Sequence, residues 1–113
     1  MKYKTAGNKR VSNIGFGAGS CDLTPPKMQA SFKEALQYAL QQGVTLIDTA
    51  EVYSGGLSES LIGEVVAKAG CREEIFLSTK VSPEHLSRED LLRSLEGSLQ
   101  RLRTDYVDLL MVH

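Results

Sequence analysis

The sequence predicts an α/β fold in which parallel strands are joined by helices. Apolar, often β-branched runs begin near residues 44, 75 and 107, and each follows a segment with helical periodicity. A strand–helix unit that repeats about every thirty residues connects parallel strands through right-handed helical crossovers. Two architectures are built in this way, the doubly wound open sheet and the (β/α)8 barrel, and the spacing alone leaves both open.

The composition is that of one ordered domain. The 113 residues include 13 Lys and Arg against 14 Asp and Glu, 42% are hydrophobic and 24% are charged. This balance excludes a highly charged disordered chain and argues against nucleic acid or an anionic membrane as the main partner. No apolar run approaches the ~20 residues of a membrane helix, and residues 1–10 lack the hydrophobic stretch of a signal peptide. We therefore expect a cytoplasmic protein.

The first part of the chain predicts a hairpin, a strand, a loop and a helix. Thr5 to Ser12 has the pattern of two short extended pieces around a turn, and Ile14 to Gly17 is typical of a buried strand. Ser20 to Lys27 contains two consecutive prolines and is predicted to be a loop. An amphipathic helix follows from Met28, and Gly43 is expected to end it in the left-handed conformation. The expected buried stripe of this helix is Met28, Phe32, Ala35, Leu36, Ala39 and Leu40.

Two further helices alternate with three strands in the rest of the chain. The strands are predicted at Val44 to Ile47, Ile75 to Thr79 and Val107 to Val112. A helix over Ser58 to Ala69 separates the first two, and a leucine-rich helix after residue 87 separates the last two. The expected capping residues are Ser58 and Ser87 at the amino ends, the latter in a capping box with Asp90, and Gly70 at the carboxyl end of the first helix.

A titratable side chain stands at the end of each repeated strand. Asp48, Lys80 and His113 occupy these positions, at separations of 32 and 33 residues. Because parallel strands point the same way, the three are expected to meet at the carboxyl end of the sheet, where βα proteins build active sites. Tyr53, in the loop after Asp48, can reach the same place. Singly, each residue has an ordinary explanation as a turn cap, a packing residue or a solvated charge. Their coincidence at equivalent points of a repeat favours a proton-transfer site.

Other patterns give weaker candidates. Gly15 to Ser20 suggests a dinucleotide-binding loop, but the third glycine of GxGxxG falls on Ser20 and no helix starts there. Cys21 and Cys71 form no CxxC motif, which argues against a disulfide scaffold or a zinc site. His85 is expected in a surface loop, and two histidines without a surrounding cluster predict no metal centre.

Three stretches of the chain resemble the motifs of the aldo-keto reductase family. They are residues 43–53 (GVTLIDTAEVY) with the following SE and IG pairs, residues 72–81 (REEIFLSTKV), and residues 94–113, which end in TDYVDLLMVH. The motifs are specific in order and spacing, and the likeness spans essentially the whole chain. The resemblance implies a (β/α)8 TIM barrel, of which this chain would supply an N-terminal hairpin and about the first four strands and three helices. Residues 1–113 would be the N-terminal half of one incomplete barrel domain.

The resemblance also implies a function and its residues. The family reduces aldehydes and ketones to alcohols by hydride transfer from NADPH, and its catalytic tetrad matches Asp48, Tyr53, Lys80 and His113. Tyr53 would be the general acid, beside the Lys80 cation that Asp48 holds in place. His113 would orient and polarise the carbonyl of a small-molecule substrate. The residues expected near the cofactor are Gly17, Ala18 and Asp48.

The family's cofactor site sets a further expectation. Most phosphate and adenosine contacts come from the second half of the barrel, so residues 1–113 alone are expected to be inactive. A four-stranded half leaves unpaired strand edges, which predicts self-association or pairing with a C-terminal half-barrel. The alternative function is a non-catalytic half-barrel, or an interaction protein like the family's channel-associated subunits.

Overall fold

The computed structural model describes residues 1–113 as a two-stranded hairpin followed by a four-stranded parallel sheet and three long helices. The hairpin strands are β1 (Tyr3–Ala6) and β2 (Lys9–Ser12), which pair antiparallel. The parallel strands, adjacent in chain order, are β3 (Gly15–Gly17), β4 (Leu46–Asp48), β5 (Phe76–Val81) and β6 (Leu109–Val112). The helices are α1 (Pro26–Gln41), α2 (Leu57–Ala69) and α3 (Arg88–Leu102). This order confirms the predicted hairpin and the alternation of strands with helices.

The hydrophobic core lies between the parallel sheet and the helices. Its twelve buried members are Ala18, Leu23, Phe32, Leu36, Ile47, Leu61, Ile62, Val65, Val66, Ile75, Leu77 and Leu102. Ile47 of β4 and Leu77 of β5 face this core. Since side chains alternate along a strand, their neighbours Asp48 and Ser78 face the other side of the sheet, as does Lys80. Because Ile47 and Leu77 pack into the core, Asp48, Ser78 and Lys80 lie on the opposite face of the sheet.

The hairpin covers the amino ends of the parallel strands. Lys9 Nζ donates a hydrogen bond to the Ile75 carbonyl at 2.8 Å and forms an ion pair with Asp108 at 2.8 Å. Ser12 and Thr45 exchange two hydrogen bonds, from each backbone N–H to the other's hydroxyl oxygen, both at 2.9 Å. These contacts fix the hairpin just before β4, β5 and β6. The carboxyl ends of the strands are left for the site.

Helix α1 differs from its prediction at both its start and its buried face. The predicted loop Ser20–Lys27 extends too far, because α1 begins at Pro26. Proline is well suited to the first turn of a helix, where the N–H that it lacks would have no intrahelical partner. Only Phe32 and Leu36 of the predicted stripe are buried, and Met28 is exposed. The helix therefore packs along a narrower line than its apolar residues suggested.

Two further predictions are wrong near β3 and α2. Ile14, predicted in a buried strand, is 64% exposed because it precedes β3, and Phe16 is the strand residue that packs against the core. Ser58 is not the cap of α2. That position belongs to Gly56, and the Ser58 hydroxyl instead forms a buried hydrogen bond with Thr49 at 2.9 Å. A hydrogen bond to a residue nine positions earlier takes the place of the predicted cap.

The other predicted helix ends are confirmed. Gly43 and Gly70 follow α1 and α2 with φ of +86° and +66°, in the left-handed region that glycine adopts without strain. Ser87 caps α3 by accepting a hydrogen bond from the Asp90 N–H at 3.2 Å, but the predicted capping box is incomplete, because the Asp90 carboxylate accepts from the Ser87 hydroxyl at 2.8 Å and not from the Ser87 N–H. The last strand is shorter than predicted and begins at Leu109.

Three further features concern the helices, the cysteines and the side chains that could bind a metal ion. None of the helices has the length and apolar character that crossing a membrane would require. Cys21 and Cys71 are both free. No group of three or more His, Cys, Asp or Glu side chains is arranged to hold a metal ion.

Candidate active site

The carboxyl ends of three neighbouring strands bring the predicted side chains together. Asp48 is the last residue of β4, Lys80 lies one residue before the end of β5, and His113 follows β6 directly. The register places Lys80 opposite Met111, two residues before His113. Tyr53 joins them from the segment between β4 and α2. We call Asp48, Tyr53, Lys80 and His113 the strand-end cluster.

Lys80 is the centre of the strand-end cluster. Its Nζ donates to Asp48 Oδ2 at 2.6 Å, to the Thr49 carbonyl at 2.9 Å and to the Tyr53 hydroxyl oxygen at 3.4 Å. These bonds occupy all three protons of the ammonium group. Ser78 donates to the other carboxylate oxygen of Asp48 at 3.0 Å, so the acid is also oriented. The Lys80 side chain is only 14% exposed, whereas that of Asp48 is 38% exposed, so the ammonium is sheltered while solvent still screens the carboxylate side of the pair.

A left-handed turn positions Tyr53. The residue begins a short 3-10 turn, Tyr53–Gly56, in which Ser54 has φ of +50° and Gly56 has φ of +93°. A positive φ is unusual for serine, and the side chain compensates with two hydrogen bonds. Ser54 Oγ accepts from the Leu23 N–H at 3.1 Å and donates to the Cys21 carbonyl at 3.0 Å. The turn that carries the phenol is thereby fixed to the loop after β3.

Two close contacts orient the Tyr53 ring. The backbone of Gly19 lies directly against it, since a Cβ at Gly19 would be 2.9 Å from the ring carbon that bears the hydroxyl. The His113 ring meets the Tyr53 ring edge to face, with centroids 5.5 Å apart and planes at 85°. The His113 backbone N–H donates to the Val81 carbonyl at 2.9 Å, which continues the β5–β6 pairing to the cluster.

The predicted cofactor-contact residues lie beside Asp48. Gly17 is paired with Asp48 in the β3–β4 register, and the Ala18 N–H donates to the Asp48 carbonyl at 3.0 Å. Ala18 is buried, whereas a Cβ added at Gly17 would meet no atom within 4 Å. The backbone at Gly17 therefore borders open space next to the Asp48 carboxylate.

A second polar group forms the rim of the site. Glu51 Oε1 accepts from the Ser82 N–H at 2.7 Å and lies 2.8 Å from His85 Nδ1. Burial by itself would raise the pKa of Glu51, but the hydrogen bonds from Ser82, His85 and Ser94 lower it to about 2. His85 is exposed as predicted, although it lies in a 3-10 turn and has a defined partner. The group ties the β5–α3 loop to the segment that carries Tyr53.

Three contributors to the site were missed by the sequence prediction. Ser78 could have been found, because it precedes Lys80 by two residues in a strand and therefore shares its face. Gly19 gives no local signal, since its closeness to Tyr53 depends on how two loops meet. Thr49 contributes only its backbone carbonyl, and no pattern of side chains in the sequence indicates which carbonyl will bind Lys80.

Comparison with known proteins connects this geometry to one family. The model of the Aldo/keto reductase family matches residues 13–113. The chain is 40% identical to aldo-keto reductase YhdN of Bacillus subtilis over 88 residues, which are 71% of this chain and 27% of that protein. It is 39% identical to methylglyoxal reductase DkgB of Salmonella typhi over 99 residues, 87% of this chain and 34% of that protein. The chain thus spans about a third of the length of these curated relatives.

Solved structures give the same result for the fold. A thermostable aldo-keto reductase in complex with epalrestat superposes on all of this chain with a TM-score of 0.88 and 43% identity, over 43% of its own length. An aldo/keto reductase from Klebsiella pneumoniae, in complex with NADP and acetate, matches 92% of this chain and 36% of its own, with a TM-score of 0.84 and 34% identity. These neighbours are (β/α)8 TIM barrels, and the hairpin, four strands and three helices seen here are part of such a barrel. The chain belongs to the aldo-keto reductase family.

Proposed function

We propose that residues 1–113 are the N-terminal half of the barrel domain of an NADPH-dependent oxidoreductase that reduces aldehydes and ketones to alcohols. The observation that carries the proposal is the hydrogen-bonded group of Asp48, Lys80 and Tyr53 at the carboxyl ends of the strands. Relatives named methylglyoxal reductase and solved relatives in complex with NADP support the reaction class and the cofactor.

Tyr53 is the general acid of this proposal. Its oxygen accepts a hydrogen bond from the Lys80 ammonium, which leaves the phenol's own proton free to point to a substrate oxygen. Once that proton has left, a phenolate 3.4 Å from the ammonium gains roughly 1 kcal/mol at the dielectric of water and about 5 kcal/mol at an effective dielectric of 20. The geometry therefore favours proton donation by Tyr53.

Asp48, Lys80 and His113 position the reacting groups and supply charge beside them. Asp48 holds the Lys80 ammonium at 2.6 Å, so that its charge stays beside the phenol. His113 packs against the Tyr53 ring, where its imidazole can donate a hydrogen bond to the carbonyl oxygen that receives the proton. Negative charge that develops on this oxygen is stabilised by fixed donors and by the nearby cation.

The open space beside Gly17 and Asp48 is where the proposal places the nicotinamide end of NADPH, and Ala18, whose side chain is buried in the core, would contribute only its backbone. The reduced nicotinamide, when bound, supplies the hydride. Asp48 would accept from the ribose, and the backbone of Gly17 allows close approach because no side chain intervenes. The phosphates and adenosine are assigned to the remainder of the barrel, so residues 1–113 alone are expected to be inactive until they pair with a C-terminal half.

The substrate class is a small-molecule carbonyl compound. The relatives named for methylglyoxal reduction make that dicarbonyl the first probe, with benzaldehyde as a bulkier aldehyde.

The test uses a polypeptide in which residues 1–113 are joined to a C-terminal half-barrel. It measures NADPH oxidation with each aldehyde. Tyr53→Phe should lower kcat by a factor of 10² or more, because general acid catalysis contributes about 10²–10⁴. Tyr38→Phe removes the same hydroxyl from an exposed position on α1 and should leave kcat unchanged. Turnover by Tyr53→Phe at the rate of the unsubstituted protein would remove Tyr53 from the mechanism.

An edge strand supports the alternative of a non-catalytic interaction protein. Strand β6 pairs only with β5, and its Leu109 and Val112 side chains are 41% and 61% exposed. Such an edge can recruit a further strand from a second copy or from a C-terminal half-barrel. Absence of NADPH oxidation by the joined polypeptide, together with stable self-association of residues 1–113 in light scattering, would favour this function over the reductase.

A further inference from the structure

We propose that Glu59 and Thr79 are positioning residues, which act from the core side of the sheet to hold the Lys80 ammonium at the Tyr53 phenol. The inference rests on the proposed reductase function, because it assigns a role relative to that site. Neither residue contacts the strand-end cluster through its own side chain.

Glu59 is a fully buried carboxylate at the start of α2. Its Oε1 accepts a hydrogen bond from Thr79 Oγ1 at 2.6 Å, and its Oε2 accepts from Arg101 Nε at 2.7 Å. Both Glu59 and Thr79 are 0% exposed, whereas Arg101, on α3, is one-third exposed at its side chain. Burying one member of an ion pair carries a large desolvation cost, and in proteins such pairs are often replaced by apolar residues without loss of stability. The stability of the core therefore does not account for this charge.

A second, parallel link lies beside the first. Ser58, which precedes Glu59, forms a buried hydrogen bond of 2.9 Å with Thr49, which follows Asp48. Two consecutive residues of α2 are thus tied to two adjacent strands, Ser58 to the end of β4 and Glu59 to β5.

Thr49, which follows β4, and Thr79 of β5 are direct neighbours of the strand-end cluster. The Thr49 carbonyl accepts a hydrogen bond from the Lys80 ammonium at 2.9 Å. Thr79 precedes Lys80, and since alternate side chains of a strand point to opposite faces, anchoring Thr79 toward α2 orients Lys80 toward the site. The helix that provides both anchors begins directly after the Tyr53–Gly56 turn. The links therefore set the separation between β5 and the phenol.

This separation is sensitive to small shifts. The distance from Lys80 Nζ to the Tyr53 oxygen is 3.4 Å, at the long end of a hydrogen bond, so a further displacement of β5 would break it. Misplacement of catalytic groups by about 1 Å can cost roughly 10²-fold in rate. Loss of the Thr79 anchor should accordingly lower kcat while leaving substrate binding unchanged.

The test uses the polypeptide that joins residues 1–113 to the remainder of the barrel, with benzaldehyde and NADPH in single-turnover and steady-state assays. Thr79→Val keeps the shape of the side chain but loses the hydroxyl, and should lower kcat at least fivefold with KM within twofold. Thr79→Ser keeps the hydroxyl and should stay within twofold of the parent. In a Lys80→Met background, Thr79→Val should change the remaining rate by less than twofold, because the group that it positions is gone.

A matched control lies on the same helix. Glu64 forms an ion pair with Lys33 at 3.0 Å on the outer side of α2, and Glu64→Gln should leave kcat and KM unchanged. Glu59→Gln is also measured alone and together with Lys80→Met. It provides a second test if the Thr79→Val protein does not fold.

Two results would overturn the inference. One is that Thr79→Val or Glu59→Gln lowers the rate by the same factor in the parent protein and in the Lys80→Met variant, which would assign Thr79 and Glu59 to general stability. The other is a crystal structure of Thr79→Val or Glu59→Gln in which Lys80 Nζ keeps its 3.4 Å separation from the Tyr53 oxygen. Failure of the reductase proposal is a different result, since it would appear as no NADPH oxidation by the unsubstituted polypeptide.

Discussion

Replacement of Gly63 by alanine should destabilise the packing of α2 against α3. A Cβ at this buried position would lie 2.5 Å from the Arg101 carbonyl oxygen and 2.7 Å and 2.8 Å from backbone atoms of Leu102. Ordinary contact for a Cβ begins at 3.4 Å, so the helices must separate by roughly 0.9 Å to admit the methyl group. The opposing atoms are backbone and cannot rotate out of the way.

The magnitude follows from two opposed effects. Alanine is favoured over glycine inside a helix by about 1 kcal/mol, which acts in favour of the variant. Overpacking a well-packed core costs typically ~1–3 kcal/mol, and here the strain falls on rigid backbone, which places it at or above the upper end of that range. We expect Gly63→Ala to lower the free energy of unfolding by about 2 kcal/mol or more.

Gly97 provides the matched control, because it lies inside α3 and faces a flexible neighbour. A Cβ there would be 3.1 Å from Arg101 Nη1, so the guanidinium must give by a few tenths of an ångström while its Nε keeps the bond to Glu59. Gly97→Ala should therefore leave the stability unchanged or raise it by up to about 1 kcal/mol. Urea unfolding followed by circular dichroism gives both values. A Gly63→Ala protein as stable as the parent, or a Gly97→Ala protein that loses as much as Gly63→Ala, would refute the packing explanation.

Two further predictions concern the rim of the site and the start of α3. The pKa of Glu51 is lowered from 4.5 to about 2, so its carboxylate stabilises the fold above pH 4.5 and this contribution is lost as the pH falls toward 2. Glu51→Gln should lower the stability at neutral pH by at most about 3 kcal/mol and flatten the fall of Tm with acid; an unchanged Tm-against-pH profile would contradict the prediction. Ser87→Ala removes the cap that accepts the Asp90 N–H and should cost about 1 kcal/mol in thermal unfolding, whereas Ser87→Asp should lose less, and equal losses would argue against the capping role.

Much of the fold could be predicted from the sequence because it depends on local interactions. Apolar periodicity located all three helices, and glycine at residues 43 and 70 marked two helix ends. The convergence of Asp48, Lys80 and His113 could also be predicted, since residues at the ends of parallel strands meet at one edge of the sheet. Their assignment to catalytic roles came from the family resemblance and remains a prediction.

Other features depended on residues far apart in the sequence and could not be predicted from local patterns. Ser58 is predicted to cap α2, but it lies inside the helix and its hydroxyl forms a buried hydrogen bond with Thr49. Glu59 carries no local signal of burial, yet it is fully buried and bonded to Arg101, 42 residues away. Gly19 contributes to the site only because the Tyr53 ring packs against its backbone, which the sequence around Gly19 does not indicate.

The sequence by itself therefore determined the order of strands and helices and the edge of the sheet at which the titratable groups lie. Both follow from periodicity, backbone conformation and the common direction of parallel strands, which are properties of short segments. Only the tertiary structure decided the partners of buried polar groups, among them the link from Glu59 to Thr79 beside Lys80. A buried polar atom must find a hydrogen-bond partner wherever the packed chain offers one, and that partner is chosen by the proximity of elements distant in sequence.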